Sequence, residues 1–161
     1  MLGHCDHAEA ITRIYNEGIR GSGVTFEARQ HTVPQVAVWF DDPRLPILVA
    51  EADGLVVSWA AASGYRAREC AAGIAEYPIS VATSQHGRGI GNAQMPPFLA
   101  ALERAGFWTV LSRLFPENTV SRALCARFGF REVGIYERHG QLDGEWRDAV
   151  TVERLLGVEF L

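Results

Sequence analysis

The stretch Gln85-His86-Gly87-Arg88-Gly89-Ile90-Gly91-Asn92 carries the strongest local signal in the sequence, because three glycines alternate with other residues around an arginine. An extended, mostly apolar run at 75–82 precedes it, and a run that can form a helix follows it. Glycines let a backbone approach a ligand closely, and the first N–H groups of a helix have no partner within the helix. The helix dipole adds roughly half a positive charge at that end. The pattern therefore predicts a strand, a turn and a helix start that together bind a pyrophosphate group.

Composition and charge limit the classes of protein to which the chain can belong. With 161 residues, 48% of them hydrophobic and 21% charged, it is predicted to form a single globular domain over residues 1–161. A formal net charge of −4 argues against a nucleic-acid partner, because a phosphate footprint usually requires a basic excess. No apolar run approaches the roughly 20 residues of a membrane span, and the first residues do not resemble a signal peptide. We therefore expect a cytoplasmic protein with no nucleic-acid or membrane partner.

The cysteines and histidines do not predict a metal site. Cys5, Cys70 and Cys125 are odd in number and far apart, which suits a reducing compartment. The segment 4–7 combines two histidines with a cysteine and an aspartate, but it lacks the ligand spacing of zinc sites and lies at a terminus. We therefore expect no metal ion.

Hydrophobic periodicity and turn residues predict four helices and six strands. Asp53-Gly54, between two apolar runs, is a strong hairpin signal. Antiparallel hairpins come first and a strand–helix–strand unit follows, which indicates a mixed α+β or α/β sheet and excludes a doubly wound one. The predicted helices cover 8–20, 32–40, 91–105 and 118–128, and the predicted strands cover 46–52, 55–63, 74–82, 107–113, 130–138 and 147–155, the last two joined by a turn-rich connection.

Three prolines lie where regular structure is predicted. Pro78 falls inside the predicted strand 74–82, where its missing N–H interrupts the ladder, so we expect a bulge there. Pro96 and Pro97 fall inside the helix that follows the glycine stretch and are expected to kink it. They lie a turn or more beyond the predicted phosphate site, so the site can survive such a kink.

Other interpretations of the glycine stretch fit less well. A dinucleotide fold requires Gly-x-Gly-x-x-Gly after the first strand, whereas here the glycines lie in mid-chain and Asn92 stands where the third glycine should be. A P-loop is excluded because no Gly-Lys-Ser/Thr follows. A tight turn from strand to helix that binds nothing stays an alternative, because a short glycine motif is weak evidence on its own.

A second motif further along the chain makes the interpretation more specific. The sequence resembles the GCN5-related N-acetyltransferase (GNAT) family, whose cofactor motif Arg/Gln-x-x-Gly-x-Gly/Ala matches 86–91 with His86 in place of Arg or Gln. The second motif of that family, Asn-x-x-Ser/Ala…Gly-Phe, is matched by Asn118, Ser121 and Gly129-Phe130. Two motifs at the right separation are much more specific than either alone.

The closer likeness is to the phosphinothricin acetyltransferase branch, including arsenic-resistance (arsinothricin-type) N-acetyltransferases, and it covers nearly the whole chain. The stretches that carry it are Ile14-Tyr15-Asn16, Thr25-Phe26-Glu27, Tyr65-Arg66-x-Arg68, Glu76, Phe115-Pro116-Glu117-Asn118, Glu137-Arg138-His139-Gly140 and Asp143-Gly144-x-Trp146-Arg147-Asp148. The resemblance implies a GNAT acyl-CoA N-acyltransferase fold, an α/β (α+β) protein with a mixed, mostly antiparallel central sheet flanked by helices. That sheet is splayed at the cofactor site, between the fourth and fifth strands, and its N-terminal edge strand is expected to be short or absent here.

The resemblance also implies which residues hold acetyl-CoA, the expected co-substrate. Asn118 is expected to help hold the cofactor arm, and Ser121 corresponds to a position near the thioester in several members. The polyanionic end of CoA suits a helix terminus, and its amide-bearing arm can pair with a strand edge. A homodimer is a further expectation from the family. The pantetheine is expected on the backbone of Ile79, Ser80 and Val81, and the pyrophosphate on Gly87, Arg88, Gly89, Ile90, Gly91 and Asn92.

Acetyl transfer to an amine requires a neutral nucleophile, and a free α-amino group has a pKa of about 8, so a modest base or a water relay is sufficient. Glu76 is the first candidate base, because the matching family position is acidic, and Glu27 is the second. Ser121 is the third candidate catalytic residue. Many acetyltransferases have a tyrosine, as general acid, where this chain has Cys125. The alternatives are a solvated carboxylate for each acid and a packing role for the cysteine.

Two alternating arginines point to an anionic substrate. Arg66 and Arg68 share a face if their segment is extended, and paired guanidinium groups suit the capture of a carboxylate, phosphinate or arsonate. Phe26 and Arg138 are predicted to contribute to the same pocket. The alternatives are a core position for the phenylalanine and a solvated or ion-paired surface charge for each arginine.

The predicted function is N-acetylation, by direct attack, of a small amino-acid-like substrate of the phosphinothricin, methionine sulfoximine or arsinothricin type. Two alternatives stay open. The acceptor could be another amine, such as a polyamine, an aminoglycoside or a protein N-terminus, although a cationic acceptor would favour an acidic pocket. The domain could instead be a degenerate member of the family that binds acyl-CoA or a partner without activity.

Overall fold

A computed structural model describes residues 1–20, 30–64, 72–142 and 144–157. Within these ranges the chain forms four α-helices and eight strands, and the strands assemble into two sheets. No helix in the described ranges is long and apolar enough to cross a membrane.

The N-terminal part of the chain contributes two helices. The first, α1, covers Ala8–Arg20. The second, α2 (Val33–Ala37), starts after Thr32, whose hydroxyl accepts from the Gln35 N–H at 3.4 Å, while the Gln35 side chain accepts from the Thr32 N–H at 2.9 Å. This reciprocal capping explains why the helix starts where the sequence predicts it. A short 3₁₀ turn (Val38–Asp41) follows it.

The strands are β1 (Ile47–Ala52), β2 (Leu55–Ala61), β3 (Ser63–Gly64), β4 (Ile74–Glu76), β5 (Ile79–Val81), β6 (Thr109–Leu114), β7 (Arg131–Leu142) and β8 (Glu145–Leu155). One sheet has the order β1-β2-β5 and the other has the order β3-β4-β6-β8-β7. The β4–β6 pair is parallel and the other described pairs are antiparallel. The predicted mixed, mostly antiparallel sheet is therefore confirmed.

The first three residues form a short edge against β1. Leu2 pairs with Leu48 in the antiparallel sense, and the Gly3 N–H donates to the Ile47 carbonyl at 2.6 Å. This edge segment is short, as the sequence led us to expect.

The predicted strand at 74–82 is wrong in one respect, because it is two strands that belong to different sheets. The Tyr77 N–H still donates to the Leu111 carbonyl of β6 at 3.2 Å, but Pro78 has no N–H with which to continue that ladder. The Pro78 carbonyl instead accepts from the Ala61 N–H at the end of β2, at 3.3 Å. The chain thus passes from one sheet to the other at Pro78, and the expected bulge is a complete break.

Two further helices follow the sheet crossing. The third helix, α3 (Ile90–Arg104), is continuous although Pro96 and Pro97 lie inside it, so the predicted kink does not end or divide the helix. The fourth helix, α4, covers Thr119–Arg127. In α3, Pro96 and Pro97 lack the N–H groups of two helical hydrogen bonds, and the burial of their neighbours Met95 and Phe98 in the core offsets this cost.

A buried glutamine joins α3 to the first sheet. The Ser58 hydroxyl of β2 donates to Oε1 of Gln94, and Nε2 of Gln94 donates to the Leu48 carbonyl of β1 at 3.2 Å. Ser58 and Gln94 are both buried, so these bonds satisfy polar groups that would be costly to leave unpaired.

The last two strands form a longer hairpin than the sequence predicts. The predicted strands stop at 138 and resume at 147, whereas β7 and β8 continue into the segment that was assigned to the turn. The pairing is irregular between Tyr136 and Gly140, and Arg138 has a positive φ of 49° within this irregularity. Strand pairing therefore replaces most of the turn that was predicted at 139–146. The sequence did not predict this, because an irregularity such as a bulge breaks the alternation by which a strand is recognised.

The apolar side chains form two buried clusters. One joins α3 to both sheets, and the other joins α1 and α2 to the first sheet. Large members of the first are Met95, Phe98, Leu102, Val110 and Val152, and those of the second are Ile11, Ile14, Val36, Val49 and Trp59.

Candidate active site

The two sheets separate where β5 leaves β6, and a cavity of about 520 Å³ lies at this point. Five residues predicted from the sequence to belong to the site lie in its wall, namely Glu76, Ile79, Ser80, Asn118 and Ser121. The other described lining residues are Tyr15, Gly18, Ser63, Tyr77, Pro78, Met95, Ser112, Arg113, Leu114, Phe115, Leu124, Cys125, His139, Gly140 and Gln141. The cavity follows from the predicted splay of the sheet, and it is large enough for part of a small-molecule substrate.

One wall of the cavity is the edge of β5. This strand pairs with β2 on one side, where Ile79, Ser80 and Val81 lie opposite residues 60, 59 and 58. In the described structure no second strand pairs with β5, so its other edge is available to an extended ligand. Nε2 of His86 lies 2.9 Å from the Val81 carbonyl and donates to it, because a carbonyl can only accept. This bond ties the end of β5 to the glycine stretch.

The glycine stretch has the backbone geometry that the sequence predicts. Gly87 and Gly89 have positive φ values of 78° and 74°, a region that favours glycine, and Gly89 is the N-cap of α3. The Ala93 N–H donates to the Gly89 carbonyl at 3.1 Å, so the N–H groups of Ile90, Gly91 and Asn92 precede the first helical hydrogen bond. Such N–H groups at a helix N-terminus are the donors that the predicted pyrophosphate site requires.

Two arginines lie beside this helix start. Nη1 of Arg88 donates to the Gln85 side chain at 2.9 Å, and Nη1 of Arg127 of α4 donates to the Asn92 side chain at 2.8 Å. Both arginines are exposed, so they add positive charge around the N–H groups without being consumed by a buried ion pair.

Gly91 has a different role from the other two glycines of the stretch. It lies inside α3 and its φ is not positive, but a Cβ placed on it would be 3.1 Å from Cδ2 of Leu124 in α4. The absence of a side chain therefore allows α3 and α4 to approach closely. The sequence interpretation, which assigned all three glycines to ligand contact, missed this packing role.

The start of α4 forms another wall. Asn118 is the N-cap of this helix, and its Oδ1 accepts from the Ser121 N–H at 3.2 Å. The cap uses Oδ1 and not the Nδ2 group. Both residues line the cavity, so the cap also fixes the amide and hydroxyl groups that face it.

Glu76, the first candidate base, is held by an ion pair that the sequence did not reveal. It stands at the end of β4, and its carboxylate accepts from Nη1 of Arg113, which lies on the neighbouring parallel strand β6. The two side chains are 26% and 29% exposed, so the pair is partly shielded from water. Nε of Arg113 is buried and has no hydrogen-bond partner among the described residues, although the residue itself lines the cavity.

Tyr77 and Cys125 form a second pair in the wall. The Tyr77 hydroxyl lies 3.6 Å from Sγ of Cys125, and both residues are almost fully buried. Burial raises the pKa of the Tyr77 phenol well above its usual range. Burial also raises the pKa of the Cys125 thiol, although the hydrogen bond with Tyr77 opposes that shift. Both groups therefore keep their protons at neutral pH, and the thiol is a poor nucleophile.

Some predicted site residues are not placed in the cavity wall. Arg138 is not among its described lining residues, because it is exposed in the irregular part of β7, where its N–H donates to Oδ1 of Asp148 at 2.8 Å. Phe26, Glu27, Arg66 and Arg68 lie outside the described residues. Their roles stay predictions.

Among the lining residues that the sequence analysis did not assign to the site are Tyr77, Arg113 and His139. Tyr77 was read as an ordinary strand position. Arg113 gave no signal, because its partner Glu76 lies 37 positions away and the register of two parallel strands is not encoded locally. His139 was part of the resembling stretch near the end of the chain, but no role was assigned to it.

The first helix also reaches the cavity, through Tyr15. Its neighbour Asn16 donates from Nδ2 to the His31 carbonyl at 2.9 Å and accepts from the His31 N–H at 2.8 Å. The rings of Tyr15 and His31 lie 4.4 Å apart. Tyr15 and Asn16, which belong to one of the stretches that carry the family resemblance, therefore hold the segment before α2 against α1.

One cluster of possible metal ligands is present in the described part of the chain. The ligand atoms of His4, Cys5 and Asp6 lie within 4.8 Å of one another, and all three residues are exposed. His4 serves there as an N-cap, since its Nδ1 accepts from the Asp6 N–H at 3.2 Å. The cluster is remote from the cavity lining and does not belong to the candidate site.

Comparison with known proteins identifies the class. A model of the acetyltransferase (GNAT) family matches residues 9–130. The chain therefore belongs to this family, and it is an acetyl-CoA-dependent N-acetyltransferase with acetyl-CoA as its co-substrate.

Similar proteins narrow the comparison further. A phosphinothricin N-acetyltransferase from Streptomyces coelicolor is 30% identical over 152 residues, which cover 91% of this chain and 89% of that protein. An L-methionine sulfoximine/L-methionine sulfone acetyltransferase from Pseudomonas aeruginosa is 27% identical, with 89% and 86% covered. A solved structure of a phosphinothricin acetyltransferase from Sinorhizobium meliloti, in complex with acetyl-CoA, matches with a TM-score of 0.90 at 25% identity, covering 98% of this chain and 87% of that one. The fold and the predicted branch of the family are thus confirmed.

Proposed function

We propose that the protein transfers the acetyl group of acetyl-CoA to the amino group of a small amino-acid-like substrate of the phosphinothricin, methionine sulfoximine or arsinothricin type. The observation that carries this proposal is the cavity at the sheet separation, bounded by the unpaired edge of β5 and by the carboxylate of Glu76. The similarity to phosphinothricin and methionine sulfoximine acetyltransferases supports the choice of substrate.

Acetyl-CoA fits this arrangement in two places. Its amide-bearing arm pairs with the backbone of Ile79, Ser80 and Val81, as a peptide does when it adds to a strand edge. Its pyrophosphate accepts from the N–H groups at the start of α3, next to Arg88. His86, which replaces the usual Arg or Gln of the motif, keeps the loop attached to β5.

The remaining contacts with the donor come from α4. We assign the Nδ2 group of Asn118, which the cap leaves unused, to the arm of the donor and the hydroxyl of Ser121 to its thioester end, because both residues line the cavity. In this assignment the capping bond of Asn118 orients both residues.

The reaction proceeds by direct attack of the substrate amine. Glu76 takes the amine proton, directly or through a water molecule, and Arg113 orients its carboxylate. Glu27 stays the second candidate for this role. A covalent acetyl-enzyme on Cys125 is disfavoured, because burial raises the pKa of that thiol and leaves little thiolate to attack the donor.

The acceptor is anionic in this proposal. Arg66 and Arg68 were predicted to capture its acidic group, and Arg113 adds a positive charge in the cavity wall. Phe26 and Arg138 stay candidates for the same pocket. A cationic acceptor, such as a polyamine, would not be matched by these groups.

The function is tested by following the release of free CoA thiol from acetyl-CoA with phosphinothricin, methionine sulfoximine and a panel of polyamines, aminoglycosides and N-terminal peptides. We expect turnover with the two amino-acid analogues. Arg66→Ala and Arg68→Ala should each raise the KM for phosphinothricin about tenfold or more, because one charge-assisted contact is lost. Turnover confined to a polyamine, an aminoglycoside or a peptide would contradict the substrate class. Binding of acetyl-CoA with no turnover of any acceptor would show a degenerate domain.

Replacement of the candidate base gives a second prediction. Glu76→Gln should lower kcat about 100-fold near neutral pH, since a general base contributes about 10²–10⁴ to the rate. The deficit should shrink above about pH 8, where a free α-amino group is already neutral. The matched control is Glu153→Gln, because Glu153 is also 26% exposed and paired with an arginine, but on β8, outside the described cavity lining. Equal pH–rate profiles for Glu76→Gln and the unaltered enzyme would remove Glu76 as the base.

The glycine turn gives a third prediction. Gly89→Ala introduces a side chain at a φ of 74°, which costs about 1–2 kcal/mol of backbone strain, although no atom lies within 4 Å of the new Cβ. If this turn holds the pyrophosphate, the Kd for acetyl-CoA measured by calorimetry should rise about tenfold, equivalent to about 1.4 kcal/mol. Gly54→Ala is the control, because Gly54 has a φ of 80° and the same open surroundings in the β1–β2 turn. An equal Kd in both variants would refute the assignment of the turn to the donor.

We also propose a homodimer that forms through β7. This strand is the edge of its sheet, is 12 residues long and is exposed over most of its length, with the apolar side chains of Val133 and Ile135 about half exposed. Proteins normally cover such an edge, and a two-fold contact with a second copy covers both edges at once. Light scattering should give a mass of two chains, reduced to one chain by Ile135→Glu. A mass of one chain for the unaltered protein would contradict this proposal.

The proposed location is the cytoplasm. Cys5 and Cys125 are free thiols, which suits a reducing compartment.

A further inference from the structure

The proton donor for the departing CoA is not identified by the proposed function. When the amine displaces CoA, the carbon–sulfur bond of the thioester breaks and sulfur leaves with the electron pair. A free thiol has a pKa of about 8.5, so the departing thiolate takes up a proton near neutral pH. A neutral acid that faces the sulfur therefore lowers the barrier.

Tyr77 is a neutral acid in the wall of the cavity. It follows Glu76 directly, at the point where β4 ends, and successive residues of a strand face opposite sides. Glu76 is thus turned towards Arg113 on β6, whereas the Tyr77 hydroxyl reaches Cys125 on α4, at 3.6 Å. Both tyrosine and cysteine line the cavity, in which Asn118 and Ser121 of the same helix region also lie.

The surroundings of Tyr77 leave its hydroxyl in one place. Its ring lies between Phe98 and Phe130, with ring centroids 5.3 and 5.9 Å away. Its backbone is held as well, because the Ser112 hydroxyl donates to the Tyr77 carbonyl at 2.8 Å. A side chain fixed in this way pays little further entropy when it donates to a ligand.

We propose that Tyr77 donates the proton to the sulfur of the departing CoA and that Cys125 positions the Tyr77 hydroxyl. This inference rests on the proposed acetyl transfer. It assigns the acid and the base of the reaction to two adjacent residues, Tyr77 and Glu76, on opposite faces of one strand.

The step is balanced as follows. The amine nitrogen forms a bond to the acetyl carbon and loses a proton to the base. The carbon–sulfur bond breaks, sulfur keeps the electron pair, and the O–H bond of Tyr77 gives its proton to sulfur. As the phenol gives up this proton it takes one from the thiol of Cys125, so no free phenolate forms in the buried site, and the thiolate of Cys125 regains a proton from water once CoA has left. The overall products are the acetylated amine and CoA thiol.

The protonation states agree with this assignment. Burial raises the pKa of Tyr77, so the phenol carries its proton at the pH at which it must donate. Cys125 raises the pKa of the phenol further, through charge repulsion between the two ionised groups and through their hydrogen bond. Among the described residues, Glu132 of β7 raises the pKa of Cys125 by its negative charge. The cavity that the pair lines also carries the titratable side chains of Tyr15, Glu76, Arg113 and His139.

The first test is kinetic. Tyr77→Phe keeps the ring between its aromatic neighbours and removes the hydroxyl, so we expect a Tm close to that of the unaltered protein, an unchanged Kd for acetyl-CoA and a kcat about 10- to 100-fold lower. Tyr136→Phe, on the exposed face of β7, makes the same chemical change as a control and should leave kcat unaltered. Cys125→Ala should lower kcat less than Tyr77→Phe, because the phenol keeps its proton without the thiol.

The second test does not depend on turnover. The ionisation of the thiol of bound CoA is followed by the ultraviolet absorbance of the thiolate as the pH is raised, and the spectrum of the same protein with CoA lacking its sulfur is subtracted. A phenol that donates to the sulfur stabilises the thiolate, so the midpoint should be about 1–2 pH units higher in Tyr77→Phe than in the unaltered protein.

The outcomes separate this inference from the proposed function. A lowered kcat together with a raised midpoint in Tyr77→Phe supports Tyr77 as the donor. An unaltered midpoint overturns it, even if kcat falls, because the hydroxyl then does not meet the sulfur. A rate lost in Cys125→Ala but kept in Tyr77→Phe also overturns it and makes the thiol the acid. If the unaltered protein binds CoA but acetylates nothing, the proposed function fails, while the titration still reports whether Tyr77 meets the sulfur.

Discussion

A hydrogen bond that cannot form, at Pro78, determines where this fold opens. Up to Tyr77 the chain is part of the larger sheet, since the Tyr77 N–H still donates to β6. Pro78 has no N–H, and its carbonyl bonds to β2 of the other sheet. Here the two sheets are joined by the covalent chain, as they are at Ala62 between β2 and β3, and not by a shared ladder, so β5 keeps one edge without a strand partner in the described structure. The cavity, and with it the surface on which a cofactor arm can lie, follows from this single missing donor.

Next to Pro78, the polar side chains of Glu76 and Tyr77 each pair with a residue on a different element. Glu76 is fixed to β6 by Arg113, and Tyr77 is fixed to α4 by Cys125 and to β6 through the Ser112 hydroxyl. Because adjacent strand residues alternate in direction, one short segment supplies a carboxylate to one side of the opening and a phenol to the other. Each of these side chains has a partner that belongs to a different element, so the positions of Glu76 and Tyr77 depend on the assembly of the sheet with α4.

The sequence predicted the parts of the site that depend on local pattern. The turn at Gly87 and Gly89 follows from their position between a strand and a helix, and the start of α4 follows from Asn118 as a cap. The pairing of Glu76 with Arg113 could not be predicted, because the register between two parallel strands depends on the helix that connects them. Likewise, Pro78 was visible as an interruption, but whether a strand bulges or changes sheet depends on which neighbours lie beside it.

The close contact between α3 and α4 has a consequence for the distance between the two places that we propose for the ends of the donor. Gly91 lies at the start of α3 and packs against Leu124 of α4, and Arg127 at the end of α4 donates to the Asn92 side chain, so the glycine turn is tied to the helix that Asn118 caps. The phosphate end and the reactive end of a cofactor are recognised, in our proposal, by these two places. The Leu124 methyl group, which packs against Gly91, therefore helps to set the distance between these two places. In our proposal, this distance has to match the span between the charged and reactive groups of the donor.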